Sequence, residues 1–335
     1  MALDLSVGEL LSPFNEVDTP GIIVSVITAD SEAKQWAFGF GNLETRTPCT
    51  SNTNYRLASL SKQFTATAVL LLEERKQLSL NEPLLEFFPS FPAYGKNITV
   101  RHLLTHTSGI PDYEECIPAG TSLPVLDRDV LRILLNQSRT YFSPGEHFRY
   151  SNSGYALLAQ IVEVRSGQTF ARFLAEQIFR PLGMADTLAY EGGISTIQNR
   201  AFGYTQKGTE WVRTDQSLTS SVLGDGGIYS SADDLQRWDQ ALYGGSVLSL
   251  RLLEQAFHPS VVADRPATAY GFGWFIGSYR GLKEVWHYGE TVGFTTRISR
   301  FPEKKFTVIL LCNRNDAPLS ALPHQLADRL LFDGR

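Results

Sequence analysis

At 335 residues the chain is a little over twice the roughly 150 residues usual for one domain, so two substructures in one polypeptide are expected. Its 43% hydrophobic and 19% charged residues, with 27 Gly and 16 Pro, exclude a collagenous, coiled-coil or disordered chain. Thirty basic against 35 acidic residues leave a net charge of -5 with no long run of either sign, which argues against a phosphate-backbone-binding surface; nucleic acid is not an expected partner.

The longest apolar runs, 68–72 and 308–312, are five residues each, against the roughly 20 needed to cross a bilayer, so no membrane span is expected. The first residues, Met1 to Ser6, lack a positive n-region and an apolar h-region. The expected location is the cytoplasm for a chain that starts at Met1, and the periplasm or the exterior if a signal has been removed. Cys49, Cys116 and Cys312 are more than 60 residues apart, with no CxxC or Cys/His ligand spacing, so they read as free thiols, and no metal or other cofactor is expected.

In chain order, 21–28 and 35–42 are two β-rich runs around the polar stretch 29–34, which predicts a hairpin. From Ser61 the period becomes helical, with Phe64, Ala68, Leu71 and Leu72 on one face as far as Lys76 and Gln77. Further helices are predicted at 100–105, 126–136, 155–164 and 170–179, joined by Pro-, Gly- and Ser-rich loops. After Gly203 β content returns, interrupted by one amphipathic helix for which Ser231 and Asp234 suit a capping box before Leu235, Trp238 and Leu242. Four short strands, 270–277, 283–288, 295–301 and 306–312, have linkers too short for βαβ crossovers and are expected to pair antiparallel; 321–332 closes the chain as a helix. The expected fold class is α+β. An antiparallel sheet domain (1–58 and 215–335) is flanked by helices and carries an inserted all-helical domain (59–214), the opening hairpin joining the closing meander in one sheet.

There is no G-x-S-x-G elbow, H-E-x-x-H or P-loop, and the glycines of 271–277 are misspaced for a dinucleotide fingerprint. What is present is Ser59-Leu-Ser-Lys62 at a predicted helix start, where a three-residue spacing puts hydroxyl and ammonium on one face. The helix N-terminus adds backbone donors for developing negative charge. Taken alone Ser59 is better read as a helix cap, and Ser31-Glu-Ala-Lys34 matches the same pattern in the hairpin turn. Tyr150-Ser-Asn152 is the one Tyr-x-Asn among 13 tyrosines, with a phenol able to carry protons and a carboxamide able to hold a substrate amide or the lysine. Asn152 or Ser153 could equally cap the next helix. His287-Tyr-Gly289, followed by Glu290, stands at a predicted strand end, where glycine admits a close approach and backbone N–H groups can serve an oxyanion; a lone strand-end histidine is more often structural.

Together, in this order on a helix start, a loop and a strand end, the three motifs resemble the serine β-lactamase and penicillin-binding-protein superfamily, and within it the class C-like branch of DD-peptidases, D-aminopeptidases and family VIII carboxylesterases. The segments 101–110, 143–145 and 226–235 look like parts of that family too. The resemblance implies Ser59 as the acylated nucleophile, Lys62 and Tyr150 sharing the general base and acid work, and Asn152 binding substrate or holding Lys62. The backbone N–H groups of Ser59 and Glu290 would form the oxyanion hole. His287 stands where class C β-lactamases carry lysine, which removes a fixed cation for a substrate carboxylate. His287 would then gain charge only as pH falls toward about 6, with Arg297 as the alternative cation.

The expected function is a metal-free serine hydrolase acting through an acyl-enzyme on a small-molecule ester, with an amide or peptide substrate (D-aminopeptidase, DD-peptidase or weak β-lactamase) as the alternative and a catalytically silent binding protein as the third. The loops 112–128 and 192–219 are expected to shape the substrate pockets.

Overall fold

The strands at the two ends of the chain join in one sheet because each alternates between two apolar sets that need different cores. In this computed structural model, which describes residues 2–332 apart from 16–17, 30–32, 263–268 and 316, the sheet strands are β1 (Ile22–Ile27), β2 (Lys34–Phe38), β3 (Val261–Val262), β4 (Ala269–Tyr270), β5 (Phe275–Tyr279), β6 (Leu282–Thr291), β7 (Phe294–Phe301) and β8 (Phe306–Cys312). Their spatial order is β3-β4-β5-β6-β7-β8-β1-β2, antiparallel throughout, with Ile22 opposite Cys312 and Ile27 opposite Thr307 where first and last strands meet. Ile23, Ile27, Ile298, Ile309 and Leu311 face the main core, whereas Ile22, Val24, Val26, Val308, Leu310 and Cys312 face a second core closed by Leu11, Leu322 and Leu326. With both faces covered, β7 and β8 are buried along their whole length.

Among the helices are α1 (Lys62–Glu74), α2 (Asp127–Leu135), α3 (Asn152–Ser166), α4 (Ala232–Gly244) and α5 (Leu322–Ala327), of which α1 and α3 carry site residues. Every residue of α1 from Lys62 to Leu72 is buried, so it is a central helix packed against α3 as well as the sheet side of the core. The turn Ala58–Ser61 that leads into α1 lies against β6 and β7, and this seam between helices and sheet is where the site forms.

Three local readings are corrected. The second hairpin strand does not run unbroken from 35 to 42: the chain turns at Gly39 (φ +68), where a side chain would meet Pro20 O at 2.8 Å, and Phe40–Asn42 pairs instead with Thr47–Pro48. The stretch 270–277 is likewise divided, into β4 and β5, by the loop 271–274. Only half of the capping box at α4 forms: Ser231 Oγ accepts from Asp234 N, but the Asp234 carboxylate turns away to accept from Asp186 N and Thr187 Oγ1. The helices of 170–179 and 321–332 each finish in a wider, π-type turn. Ser31 lies outside the described residues.

Candidate active site

From Thr53 to Leu60 every residue is buried except Ser59, which is partly exposed. Ala58 sits at φ +50, a left-handed conformation disfavoured for any residue with a Cβ, and it throws Ser59 outward at the head of the turn. Ser59 does not cap the helix: the cap position of α1 is Ser61, which makes no side-chain cap bond, and Ser61 Oγ instead accepts from Ile228 N at 3.2 Å.

One turn on, the Lys62 side chain is wholly buried. Its Nζ lies 3.0 Å from Ser59 Oγ and donates to Asn152 Oδ1 at 2.8 Å and to the Asp225 carbonyl at 2.9 Å. Burial drives its pKa down to about 8, against an opposing pull from the carboxylates of Asp225, Asp112 and Glu114. Burial raises Asp225 in turn, and Tyr113 Oη donates to its carboxylate at 3.0 Å.

Asn152 is the first residue of α3 and, like Ser153, does not cap it; Asp112 accepts the Asn152 backbone N–H at 2.7 Å, and the carboxamide oxygen accepts from Lys62. The Tyr150 ring is half-buried, but its hydroxyl is buried and within the influence of Ser59, and Lys62 Nζ is 4.9 Å from the ring centre. Burial raises its pKa well above the ordinary value, the pull of Ser59 only partly offsetting this, so the phenol holds its proton at neutral pH.

The third motif completes the seam by backbone. Gly289, in β6, comes so close to the Ser59 turn that a Cβ there would stand 2.2 Å from Leu57 O and 3.1 Å from Ser59 N, and Glu290 next to it lines the same cleft as Ser59, Glu114, Asn152 and Asp225. His287 is not placed as the motif suggests. It is fully buried, its Nδ1 donates to Tyr288 O at 2.6 Å and its Nε2 accepts from Tyr270 Oη at 3.1 Å, and burial followed by the Lys62 charge lowers its pKa to about 3. The expectation of an imidazole that charges near pH 6 and meets a substrate carboxylate is therefore corrected. Arg297 does not replace it: its guanidinium is nearly buried, 3.6 Å from Glu284, bonded to Ser299 Oγ and stacked on Trp286.

Glu114 and Asp225 both line the cleft, and burial pushes Asp225 up to about 8, so the exposed Glu114 is the carboxyl group that faces the opening. Arg56, the cation within the cleft, is spent on Ser220 and on the Gly226 carbonyl. Glu114 is exposed to the opening, and its pKa is raised, first by loss of water around the carboxylate and then by the charge of Asp112. Asp112, Tyr113, Glu114 and Asp225 were not singled out from the sequence, although the first three fall in the loop 112–128 expected to shape the pocket. Among the described residues no cluster of His, Cys, Asp and Glu is arranged to hold a metal ion, and no helix is long and apolar enough to cross a membrane.

Comparison with known proteins agrees with this architecture. A family profile described as Beta-lactamase matches residues 8–331. Penicillin-binding protein 4* of Bacillus subtilis (strain 168) is 35% identical over 312 residues, which are 88% of this chain and 69% of that protein. A D-aminopeptidase of Brucella anthropi is 29% identical over 302 residues, again 88% of this chain but only 56% of the relative's length. Among solved structures, the octameric penicillin-binding protein homologue from Pyrococcus abyssi superposes with a TM-score of 0.85 at 29% identity, over 100% of this chain and 77% of that one. The D-amino acid amidase from Ochrobactrum anthropi SV3 complexed with L-phenylalanine amide shares the fold with a TM-score of 0.81 at 24% identity, over 98% of this chain and 97% of that one. The chain belongs to the beta-lactamase family and is a serine hydrolase of that family.

Proposed function

We propose that Ser59 is the nucleophile of an acyl-enzyme mechanism and Lys62 its base. The observation that supports this most directly is the set of partners around Lys62 Nζ. Two of them, Asn152 Oδ1 and the Asp225 carbonyl, are acceptors only, and the third is a hydroxyl that can donate. A neutral amine satisfies all three: its two N–H groups go to the acceptors and its lone pair receives the Ser59 proton. Attack by Ser59 Oγ forms the bond to the acyl carbon as that proton passes to Lys62. Breakdown cleaves the bond to the leaving group, to which Tyr150, protonated at neutral pH, gives a proton that Lys62 restores; water then hydrolyses the acyl-enzyme by the same route. Asn152 holds Lys62 in place, and the N–H groups of Ser59 and Glu290 receive the oxyanion.

For the substrate, the exposed Glu114 carboxylate at the mouth of a cleft whose arginine, Arg56, is already paired disfavours a carboxylate and favours an ammonium group. Amides or short peptides with a free amino group beside the scissile carbonyl fit best, in keeping with the D-aminopeptidase relative. Esters of the same acyl groups should also turn over, since they ask less of the leaving-group donor. The test is a panel of D- and L-amino acid amides with their N-acetylated counterparts, neutral p-nitrophenyl esters and β-lactams. Free-amine substrates should have the higher kcat/KM, and Glu114→Gln should raise their KM at least about tenfold while changing the N-acetylated series less than about twofold. Equal turnover of free and N-acetylated amides would overturn the amine assignment. Failure of a fluorophosphonate to label Ser59 would overturn the mechanism and leave a silent binding protein.

A further inference from the structure

Tyr150 is gripped on both flanks by one residue that the mechanism does not use. His106 follows the short helix Val100–Leu104 and is 1% exposed. Its carbonyl accepts the N–H of Arg149 at 2.9 Å and its Nδ1 accepts the N–H of Ser151 at 3.2 Å, so the residues on either side of Tyr150 are both bonded to it. Its ring lies against the phenol itself, centroids 4.2 Å apart and planes 32° from parallel, and also meets the rings of Tyr155 and Tyr270 at 5.0 and 4.7 Å.

The same strand of contacts continues along the loop, where Thr107 O accepts from Gly145 N and Gly109 O from Tyr141 N. Because Nδ1 accepts, Nε2 carries the proton; it is buried and has no hydrogen-bond partner among the described residues. His106 also occupies φ +56, which a non-glycine residue adopts only where its surroundings enforce it. Burial, then the charge of Lys62, lowers its pKa well below the ordinary value. A neutral, enclosed imidazole with one nitrogen spent on the backbone is neither a proton carrier nor a cation for substrate.

We infer that His106 is the positioning residue of Tyr150, fixing the phenol through the two flanking N–H groups and the ring contact so that its hydroxyl meets the leaving group. This rests on the reading of Tyr150 as the leaving-group donor. A residue with that role affects substrates according to how much their leaving group needs a proton, whereas a residue that only supports the fold affects them alike.

The experiment compares a p-nitrophenyl ester, whose leaving group departs unprotonated, with an unactivated amide of the same acyl group. His106→Ala should lower kcat/KM, which reports the acylation step, for the amide at least about tenfold more than for the ester. His106→Asn, which tolerates positive φ and restores an acceptor toward Ser151 N, should bring the amide-to-ester ratio at least about threefold back toward wild type. In a Tyr150→Phe background, His106→Ala should change the ratio less than about twofold. Where His106→Ala melts below the assay temperature, His106→Phe, which keeps a ring and removes the acceptor, takes its place with the same expectation. Equal losses for amide and ester, or an undiminished effect in the Tyr150→Phe background, overturn the inference. If Tyr150→Phe by itself leaves the ratio at wild type, the donor reading falls and this inference with it; if it shifts the ratio and folded His106→Ala does not, the inference alone falls.

Discussion

Lys62 Nζ and Ser59 Oγ stand 3.0 Å apart at the point where a buried helix begins and the chain reaches the cleft. Of the two serines in this turn, Ser59 is partly exposed and Ser61 is fully buried. Ser59→Ala should abolish covalent labelling, read as the intact-mass shift with a fluorophosphonate, and leave the thermal midpoint within a few degrees of wild type, because no backbone donor depends on that hydroxyl. Ser61→Ala should still be labelled but be less stable by about 1–3 kcal/mol, since Ile228 N–H loses its acceptor. Residual labelling of Ser59→Ala at that position's peptide would remove the nucleophile assignment.

The lowered pKa of Lys62 sets two pH dependences. As a base it works unprotonated, so kcat/KM for an uncharged substrate should rise with pH and level off above about 8. Lys62→Met should lower kcat at least about 100-fold. The same shift acts on stability. Between about pH 8 and the unfolded value of about 10.4 the unfolded chain holds more protons at this site than the folded one, so stability contributed here rises with pH. The difference in unfolding free energy, wild type minus Lys62→Met, should therefore increase from pH 8 to pH 10 in urea titrations; a difference that falls would mean the folded ammonium is stabilised instead.

Neither His287 nor Arg297 is available to a substrate carboxylate. His287, with its pKa at about 3, stays neutral between pH 6 and 8, so a folded His287→Asn should leave unchanged the pH dependence of the kcat/KM ratio of a carboxylated ester to a matched neutral ester over that range. Arg297→Ala should act on stability, costing roughly 1–3 kcal/mol by leaving the buried Glu284 carboxylate with His324 as its remaining partner. A rise of the ratio toward pH 6 that His287→Asn removes, or a ratio that collapses in a folded Arg297→Ala, would return one of these groups to the cleft.

Gly289 is required by distance. An added methyl would stand 2.2 Å from Leu57 O and 2.5 Å from Thr296 Oγ1, so Gly289→Ala must push β6 off the Ser59 turn. Acylation should fall at least about 100-fold, measured as the rate of fluorophosphonate labelling, since the oxyanion donors move with that strand. Labelling within about threefold of wild type would show that the oxyanion site does not depend on this approach.

Much of the molecule was legible in the sequence because local pattern reports local burial. The period-two alternation in β1 and β8, the helical period after Ser61 and the short linkers of the closing meander each specify an element, and together they specify one antiparallel sheet. The motif residues Ser59, Lys62, Tyr150 and Asn152 were visible as candidates in a three-residue helical spacing and a rare tripeptide, but each motif alone was weak, and their proposed roles came from the resemblance of the three motifs together to a family. The breaks at Gly39 and at 271–274, and the turning away of the Asp234 carboxylate, were not legible, since each is decided by a partner distant in the chain.

The same division runs through the site. The order of types along the chain determined that a hydroxyl, an amine, a phenol and a carboxamide would be present, and that Gly289 would open a strand to close approach. Which of them is suited to be the proposed base and which the proposed acid depends on the tertiary structure, because a pKa follows from desolvation and from charges that folding brings near. Lys62 is lowered by its burial, Tyr150 and Asp225 are raised by theirs, and the carboxyl groups of the cleft come from Glu114 and Asp225, residues 111 positions apart in sequence. His287 shows the limit most plainly: its place beside Gly289 could be read from the chain, but its neutrality comes from Tyr270 and the Tyr288 carbonyl, which take both ring nitrogens once the sheet has formed.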